Sequence, residues 1–385
     1  MDNIGSKSQT PKQHGQDVQL SVLISLAHTF SHFYQLLIPS LFPFIAQGLQ
    51  LSYTKLGLVV TCFFAASGIG QVISGFTVDK FGAKPHLFFG LLMAAGGTLL
   101  AGLSESYWSL CACAFMAGMG NAVFHPTDYS ILNRLVSGRF IRQALSMHAI
   151  GGNVGYALAP IVAVSLAPRY GWHSALLIAG GAGLLLALLL LCFPIIRRIE
   201  TRVPGKQVSF AKPRELFLPL FSPVIAMSMA FFMVTTLYSA GITNFGPTLW
   251  QLWHEMPVQA GLYALSFYQL AGIAGIACSA LLARYWHGSA GQTASYATLC
   301  ASAVAALMVV PGLPVAVVVA CVLGMAFLGG VVSPSRDYLV KQAAPAHALG
   351  RAYGVVYAGF DVGLTLASPF YGWLIDKQLP WLVLA

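Results

Sequence analysis

The sequence predicts an all-α polytopic membrane protein made of two pseudo-symmetric six-helix bundles. The first observation is composition: of 385 residues, 57% are hydrophobic and only 8% are charged, whereas a soluble domain carries about 25% charged residues. The second is that the apolar residues form blocks of roughly 19–28, enough to cross a ~30 Å hydrocarbon core as helices. The third is that segments of the first half recur in the second half.

Lipid offers backbone N–H and C=O groups no hydrogen-bond partner, so each apolar block must be helical. The predicted spans are 20–46, 55–78, 86–104, 107–133, 142–167, 172–196, 218–245, 258–283, 292–311, 313–340 and 351–375. The chain then runs DKQLPWLVLA (376–385). That segment is too short to cross a bilayer, so we expect it to be the start of a truncated twelfth helix.

These spans divide the chain into four parts. Residues 1–19 are polar, lack the features of a signal peptide and are expected to form a disordered cytoplasmic tail. Residues 20–196 form the N-terminal bundle, and 197–217 form a basic, proline-containing cytoplasmic linker. Residues 218–385 form the C-terminal bundle, with five helices and the beginning of a sixth.

The distribution of basic residues predicts the orientation. With the N-terminus in the cytoplasm, all of the 20 Lys and Arg residues except Lys55, Arg169 and Lys377 fall on the cytoplasmic side. The net charge of +9 therefore reflects membrane topology and attraction to anionic lipid, and nucleic acid is not expected as a partner. We expect a monomer in the inner cell membrane. The seven cysteines lie in apolar blocks and are interpreted as packing residues.

Two internal alignments support a duplicated helical unit. LGLVVTCFFAASGIGQ (56–71) aligns with AGLYALSFYQLAGIAG (260–275) at a shift of about 204 residues, and GGNVGYALA (151–159) aligns with GFDVGLTLA (359–367) at about 208. Parallel repeats of this kind occur in transporters, which bind substrate near the membrane midplane between the two repeats.

A charged connection, GFTVDKFGAKP (75–85), separates the second and third predicted helices. Its glycines permit a tight turn and close helix approach, and its acid can accept hydrogen bonds from a neighbouring helix N-terminus. We predict a cytoplasmic gate here; a simple tight loop with positive-inside lysines remains the alternative. The gate residues are Gly75, Asp79, Lys80, Gly82 and Lys84.

This spacing of glycine, acid and base resembles the loop signature of the major facilitator superfamily. The resemblance covers nearly the whole chain and implies a major facilitator fold. In finer detail, VFHPTDYS (123–130) and GGNVGYALAP (151–160) are similar to fosmidomycin-resistance-type efflux transporters. One position departs from many drug/proton antiporters of the superfamily, which carry an arginine where this chain has Ala114.

The first predicted helix carries a polar stripe: Ser25, His28, His32 and Gln35 follow one another at steps of three and four, and so share one face. In the resembled family this helix lines the central cavity. Because histidine titrates near neutral pH, His28 and His32 are predicted to couple protons. The alternative is interhelical hydrogen bonding. A metal ion is not expected, since the sequence offers the pair no third ligand.

Asp361 is the leading candidate for a protonation site. It lies about ten residues from the cytoplasmic end of its helix, hence near the membrane midplane, where an ionisable group is costly and usually functional. The alternative is a structural ion pair or a hydrogen bond to a helix backbone. Further predicted cavity residues are His148, Asn153, Tyr238, Tyr268, Gln269 and Tyr357, and the predicted gate also includes His125, Asp128, Arg336 and Asp337.

Together these features predict a secondary active transporter. Proton-coupled efflux of a small amphipathic drug or metabolite is the first hypothesis, and proton-coupled uptake of a small organic anion, with Arg336 as the cavity charge, is the second. A receptor or channel without coupled transport is a third. The sequence shows no nucleotide-binding loop, nucleophile motif or metal-ligand spacing, so neither an enzyme nor a cofactor is expected.

Overall fold

The computed structural model describes residues 11–199, 223–285, 288–343 and 349–384. These residues are helical apart from short connections and include no strand. In chain order the helices are α1 (Pro11–Ser40), α2 (Phe42–Leu49), α3 (Tyr53–Phe81), α4 (Ala83–Ala101), α5 (Tyr107–Asn121), α6 (Phe124–Leu135), α7 (Ile141–Cys192), α8 (Pro194–Arg197), α9 (Pro223–His254), α10 (Val258–Tyr285), α11 (Ala290–Leu307), α12 (Val315–Ala343), α13 (Leu349–Asp376) and α14 (Trp381–Leu384). The predicted all-α class is confirmed.

The observed helices differ from the predicted spans at two places. The fourth is divided into α5 and α6 around residues 122–123. The fifth and sixth are joined without a loop in α7, which changes direction at Gly171. Gly171 has a φ of +80°, a left-handed conformation that glycine adopts without steric cost.

The expected disordered tail is wrong for residues 11–19, because α1 already begins at Pro11. The carboxylate of Asp17 ties this first part of α1 to the connection between α6 and α7. It is 4% exposed and accepts hydrogen bonds from the hydroxyl and the backbone N–H of Ser137. The predicted linker falls outside the described residues beyond residue 199.

Six stretches within the described helices are long and apolar enough to span a membrane. One of them, Gln143–Cys192, is 50 residues long and contains the change of direction at Gly171, so it provides two passes. Large apolar side chains such as Leu185 and Leu188 are exposed on the outside of the bundle, as a lipid-facing surface requires.

The two halves of the chain pack by the same plan. Helix α1 lies against α7 as α9 lies against α13, and α3 against α5 as α10 against α12. Aligned glycines allow the contacts of α1 with α7 and of α9 with α13. Gly151 and Gly155 of α7 abut backbone carbonyls of α1, and Gly359 and Gly363 of α13 abut those of α9. A side chain at any of these four positions would collide with the facing helix, so the repeated glycines serve one packing role.

The halves meet along two helix pairs, α3 with α13 and α7 with α10. In the first pair, Gly57 lies against the backbone of Ser368 and Gly372 lies against the backbone of Tyr53. The hydroxyl of Thr61 donates to the carbonyl of Thr365, 2.8 Å away. These backbone-level contacts define the interface beside which the polar residues lie.

Candidate functional site

A buried histidine–aspartate cluster lies where α1, α6 and α7 meet. Asp128 is fully buried, and its Oδ2 is 3.0 Å from Nε2 of His148 and 3.1 Å from Nδ1 of His28. The rings of His28 and His148 are stacked, with centroids 3.6 Å apart. One carboxylate oxygen therefore faces two imidazole nitrogens in a space closed to solvent.

Two more imidazoles extend this cluster. The ring centroid of His28 is 4.5 Å from that of His32 and 5.0 Å from that of His125. Helical spacing explains the grouping: His28 and His32 are four residues apart on α1, and His125 and Asp128 are three apart on α6. We call these five residues (His28, His32, His125, Asp128 and His148) the histidine cluster.

Beside the histidine cluster lies a hydrogen-bonded network centred on Asn121. Its Oδ1 accepts hydrogen bonds from Ser31 at 2.6 Å and from the Gln35 amide at 3.0 Å. Its Nδ2 donates to Ser67 at 2.8 Å, and Tyr156 donates to Gln35 Oε1. Four helices, α1, α3, α5 and α7, are joined by this buried network, as expected for polar groups removed from water.

The structure changes the grouping of two predicted gate residues. His125 and Asp128, predicted as gate residues together with Arg336 and Asp337, lie in the histidine cluster. Helix α6 begins anew after the break at residues 122–123 and faces α1 and α7. Asp128 thereby also supplies the third metal-ligand candidate that the sequence alone did not reveal.

Asp361 lies at the contact between the halves, as the fold brings α13 against α3. It is 8% exposed, and it packs on Gly68 of α3, where a methyl group would lie 3.2 Å from its Cβ. The absence of a side chain at Gly68 therefore leaves the space that the carboxyl occupies.

A row of aromatic side chains connects the histidine cluster with the C-terminal half. Tyr357 has its ring centroid 6.4 Å from that of His125 and 5.0 Å from that of Phe232. The guanidinium of Arg336 lies over the Phe232 ring at 4.2 Å, a cation–π geometry. A positive charge thus approaches the same region from the opposite half.

The remaining predicted cavity residues are scattered. Ser25 is buried where Gly151 of α7 packs against its carbonyl. Asn153 donates to the Ala149 carbonyl of its own helix at 2.9 Å. Tyr238 approaches the Ala301 carbonyl at 3.4 Å, within the C-terminal half. Tyr268 packs against the apolar core, and Gln269 is buried.

The predicted loop 75–85 is almost entirely helical. Helix α3 continues to Phe81 and α4 begins at Ala83, so the turn is Gly82 alone, with a φ of +90°. The tight turn is confirmed, but a close helix approach at Gly75 is wrong, because a Cβ there would meet none of the described atoms within 4 Å. Lys84 donates to the Arg197 carbonyl at 2.8 Å, and Lys80 lies over the Phe81 ring at 5.1 Å. The side chains of Asp79 and Asp337 lie outside the described residues.

Sequence reasoning missed an acid at the other end of α3. Asp376 accepts hydrogen bonds from the backbone N–H groups of Tyr53 at 2.8 Å and Thr54 at 2.9 Å, and from the Thr54 hydroxyl at 2.6 Å. It therefore caps a helix of the other half. The sequence analysis also did not identify Tyr156. The available signal was its spacing of eight residues from His148, which places both on one face of α7.

A groove of about 440 Å³ lies between α3, α4 and α5, and its lining includes no residue of the histidine cluster. It is lined mostly by apolar side chains, among them Ile69, Ile73 and Phe89, which are exposed. None of the predicted cavity residues lines it, so it is not the predicted substrate cavity.

Comparison with known proteins supports the fold and identifies a family. The sequence profile of the family described as Major Facilitator Superfamily matches residues 24–368. The fosmidomycin resistance protein of Escherichia coli is 26% identical over 228 residues, which cover 58% of this chain and 54% of that protein. A 4-hydroxybenzoate transporter of Acinetobacter baylyi is 30% identical over 151 residues, which cover 39% of this chain and 33% of that protein. The chain thus spans about half or less of the length of these relatives.

Solved structures give the same architecture at low sequence identity. An inward-facing, unoccupied bacterial homologue of the human lysosomal transporter Spinster has a TM-score of 0.73 at 18% identity, covering 97% of this chain and 84% of the other. A POT family transporter in complex with a peptide conjugate has a TM-score of 0.78 at 14% identity, covering 96% and 92%. These likenesses support the helical architecture and say nothing about substrate.

Proposed function

Because the chain belongs to the major facilitator superfamily, we propose that it is a secondary active transporter that moves a small molecule by alternating access. In this mechanism two helical halves rock about a site near the midplane, which opens to each side in turn. The repeated packing of α1 with α7 and of α9 with α13 supports two units that move as bodies. The inter-half contacts along α3 and α13 are the contacts that such a motion would break.

We place the N-terminus in the cytoplasm, from the distribution of Lys and Arg. The end of α3 that begins at Tyr53, and the end of α13 that contains Asp376, then lie on the outer side. The hydrogen bonds between them are consistent with a state that is closed on that side.

The main support for proton coupling is the position of Asp361. It is a buried acid packed on Gly68, where one half contacts the other, so a change in the packing of the halves changes its access to water. The acid can then take up a proton in one state and release it in the other. His28 and His32 lie inside one half, and for this reason Asp361 is the stronger assignment.

For the transported molecule, efflux of an amphipathic drug or metabolite is the first assignment. Its support is the similarity to the fosmidomycin resistance protein. Uptake of a small organic anion is the second, favoured by the guanidinium of Arg336 over Phe232 near Tyr357 and by the similarity to a 4-hydroxybenzoate transporter.

Flux measurements in proteoliposomes test the proposal directly. The purified chain is reconstituted and screened against amphipathic drugs and aromatic acids, with and without an imposed pH gradient. Uphill movement of one compound that requires the gradient is expected. Ligand binding with no flux of any compound, under either condition, would instead favour a receptor; one relative is described as a membrane sensor protein of Escherichia coli.

A further inference from the structure

The histidine cluster contains two overlapping sets of possible metal ligands. One is His28, Asp128 and His148, and the other is His28, His32 and His125. In each set, one donor atom from every residue lies within 4.8 Å of the others. The first set, with two imidazoles and one carboxylate, is fully inside the protein.

The distances in the first set suit a small divalent ion. In a tetrahedral site with metal–ligand distances of about 2.0–2.2 Å, donor atoms are roughly 3.3–3.6 Å apart. Asp128 Oδ2 is 3.0 Å from His148 Nε2 and 3.1 Å from His28 Nδ1, so an outward shift of a few tenths of an ångström would admit the ion. Imidazole and carboxylate ligands together are typical of Zn²⁺, Fe²⁺, Co²⁺ and Ni²⁺ sites.

Several polar atoms of the cluster lack hydrogen-bond partners among the described residues. They are both ring nitrogens of His32, Oδ1 of Asp128, and Nδ1 of His28, which is close to Asp128 but not aligned for a hydrogen bond. A buried polar atom without a partner costs about 1–3 kcal/mol and calls for an explanation. A coordinated ion would satisfy nitrogen lone pairs that no group in the described part of the chain meets.

All five candidate ligands come from α1, α6 and α7, in the N-terminal half. Rocking of the halves would leave such coordination intact, so an ion held here can stay bound through a transport cycle. This distinguishes the site from a substrate site, which two halves share.

We infer that His28, Asp128 and His148 bind one divalent first-row transition-metal ion, with His32 and His125 as neighbouring ligands that can complete its coordination. The inference goes beyond the proposed transport function and does not depend on it. It names a resident ion and not a transported one.

The test is a metal titration of the purified full chain in detergent, prepared without a polyhistidine tag. Co²⁺ is the probe because its visible absorption reports the coordination geometry, and elemental analysis gives the stoichiometry. One Co²⁺ per chain is expected, with absorption bands of a four-coordinate ion, and with displacement by Zn²⁺. Absence of a saturable, stoichiometric ion in the wild-type protein would overturn the inference.

Variants assign the ion to these residues. Asp128→Asn and His148→Gln should each weaken Co²⁺ binding by about tenfold or more, because each removes a ligand. His254→Gln is the matched control: this buried histidine of α9 contacts the Met308 carbonyl, outside both ligand sets. Equal binding by wild type, Asp128→Asn and His148→Gln would place the ion elsewhere and refute the site. The wild-type stoichiometry is measured first, and it decides whether the ion is present. The inference can therefore be refuted even if a variant fails to fold.

Discussion

Asp376, the last residue of α13, accepts a hydrogen bond from the backbone N–H of Tyr53, the first residue of α3. The same carboxylate also binds the N–H and hydroxyl of Thr54. An acid at a helix N-terminus satisfies unpaired N–H groups and is favoured by the helix dipole. Here the cap comes from the other half of the protein, so it stabilises contact between the halves.

Asp376→Ala should shift the protein away from the state closed at this end. Loss of a helix cap costs about 1 kcal/mol, which corresponds to a roughly fivefold change in the equilibrium. Spin labels at Gln47→Cys and Gln378→Cys, in a background without the seven native cysteines, report the separation of the two halves. A larger population at long distance is expected. Lys377→Ala is the control, and an unchanged distance distribution in Asp376→Ala would show that the cap does not hold the halves together.

Gly57→Ala should weaken the contact of α3 with α13, because the new methyl group would collide with the backbone of Ser368 and Pro369. Gly75→Ala makes the same chemical change in the same helix, at a position where a Cβ would have no neighbour within 4 Å among the residues that the structure describes. Glycine to alanine inside an unhindered helix is favourable by up to about 1 kcal/mol. Thermal unfolding in detergent should therefore show a lower Tm for Gly57→Ala and an unchanged or higher Tm for Gly75→Ala. The reverse order would contradict the packing.

Asn121→Leu should destabilise the protein, because Ser31, Gln35 and Ser67 would lose a shared partner. Each buried polar group left unpaired costs about 1–3 kcal/mol. Asn133→Leu is the matched control: Asn133 is exposed, and its side chain donates to the Tyr129 carbonyl of its own helix. A clear fall in Tm is expected for Asn121→Leu alone. Equal Tm values for the two variants would mean that water replaces the lost partners.

Asp361→Asn should abolish flux driven by a pH gradient and preserve substrate exchange without a gradient. The amide has nearly the shape of the acid but cannot release a proton, whereas Asp361→Glu retains an acid and should retain part of the driven flux. The comparison is made in proteoliposomes at equal protein content. Full gradient-driven flux by Asp361→Asn would remove this residue from proton coupling.

How far the sequence could predict the site is clear from individual residues. The spacing of His28, His32 and Gln35 placed them on one face of α1. In the structure His28 and Gln35 are buried and the rings of His28 and His32 are in contact, which agrees with that prediction. The spacing could not reveal which helix that face meets. It therefore could not show that α6 brings His125 and Asp128 against His28 and His148.

The sequence by itself determined the helical membrane class, the approximate helix spans and the duplication. Segment length and hydropathy decide whether a segment spans the bilayer as a helix, and the repeated glycine spacing can be read directly from the sequence. Only the tertiary structure decided that Asp128 faces two imidazoles and that Asp376 caps α3, more than 300 residues away in sequence. Contacts between distant residues depend on how helices pack around the glycines, and that packing is set by all the helices together.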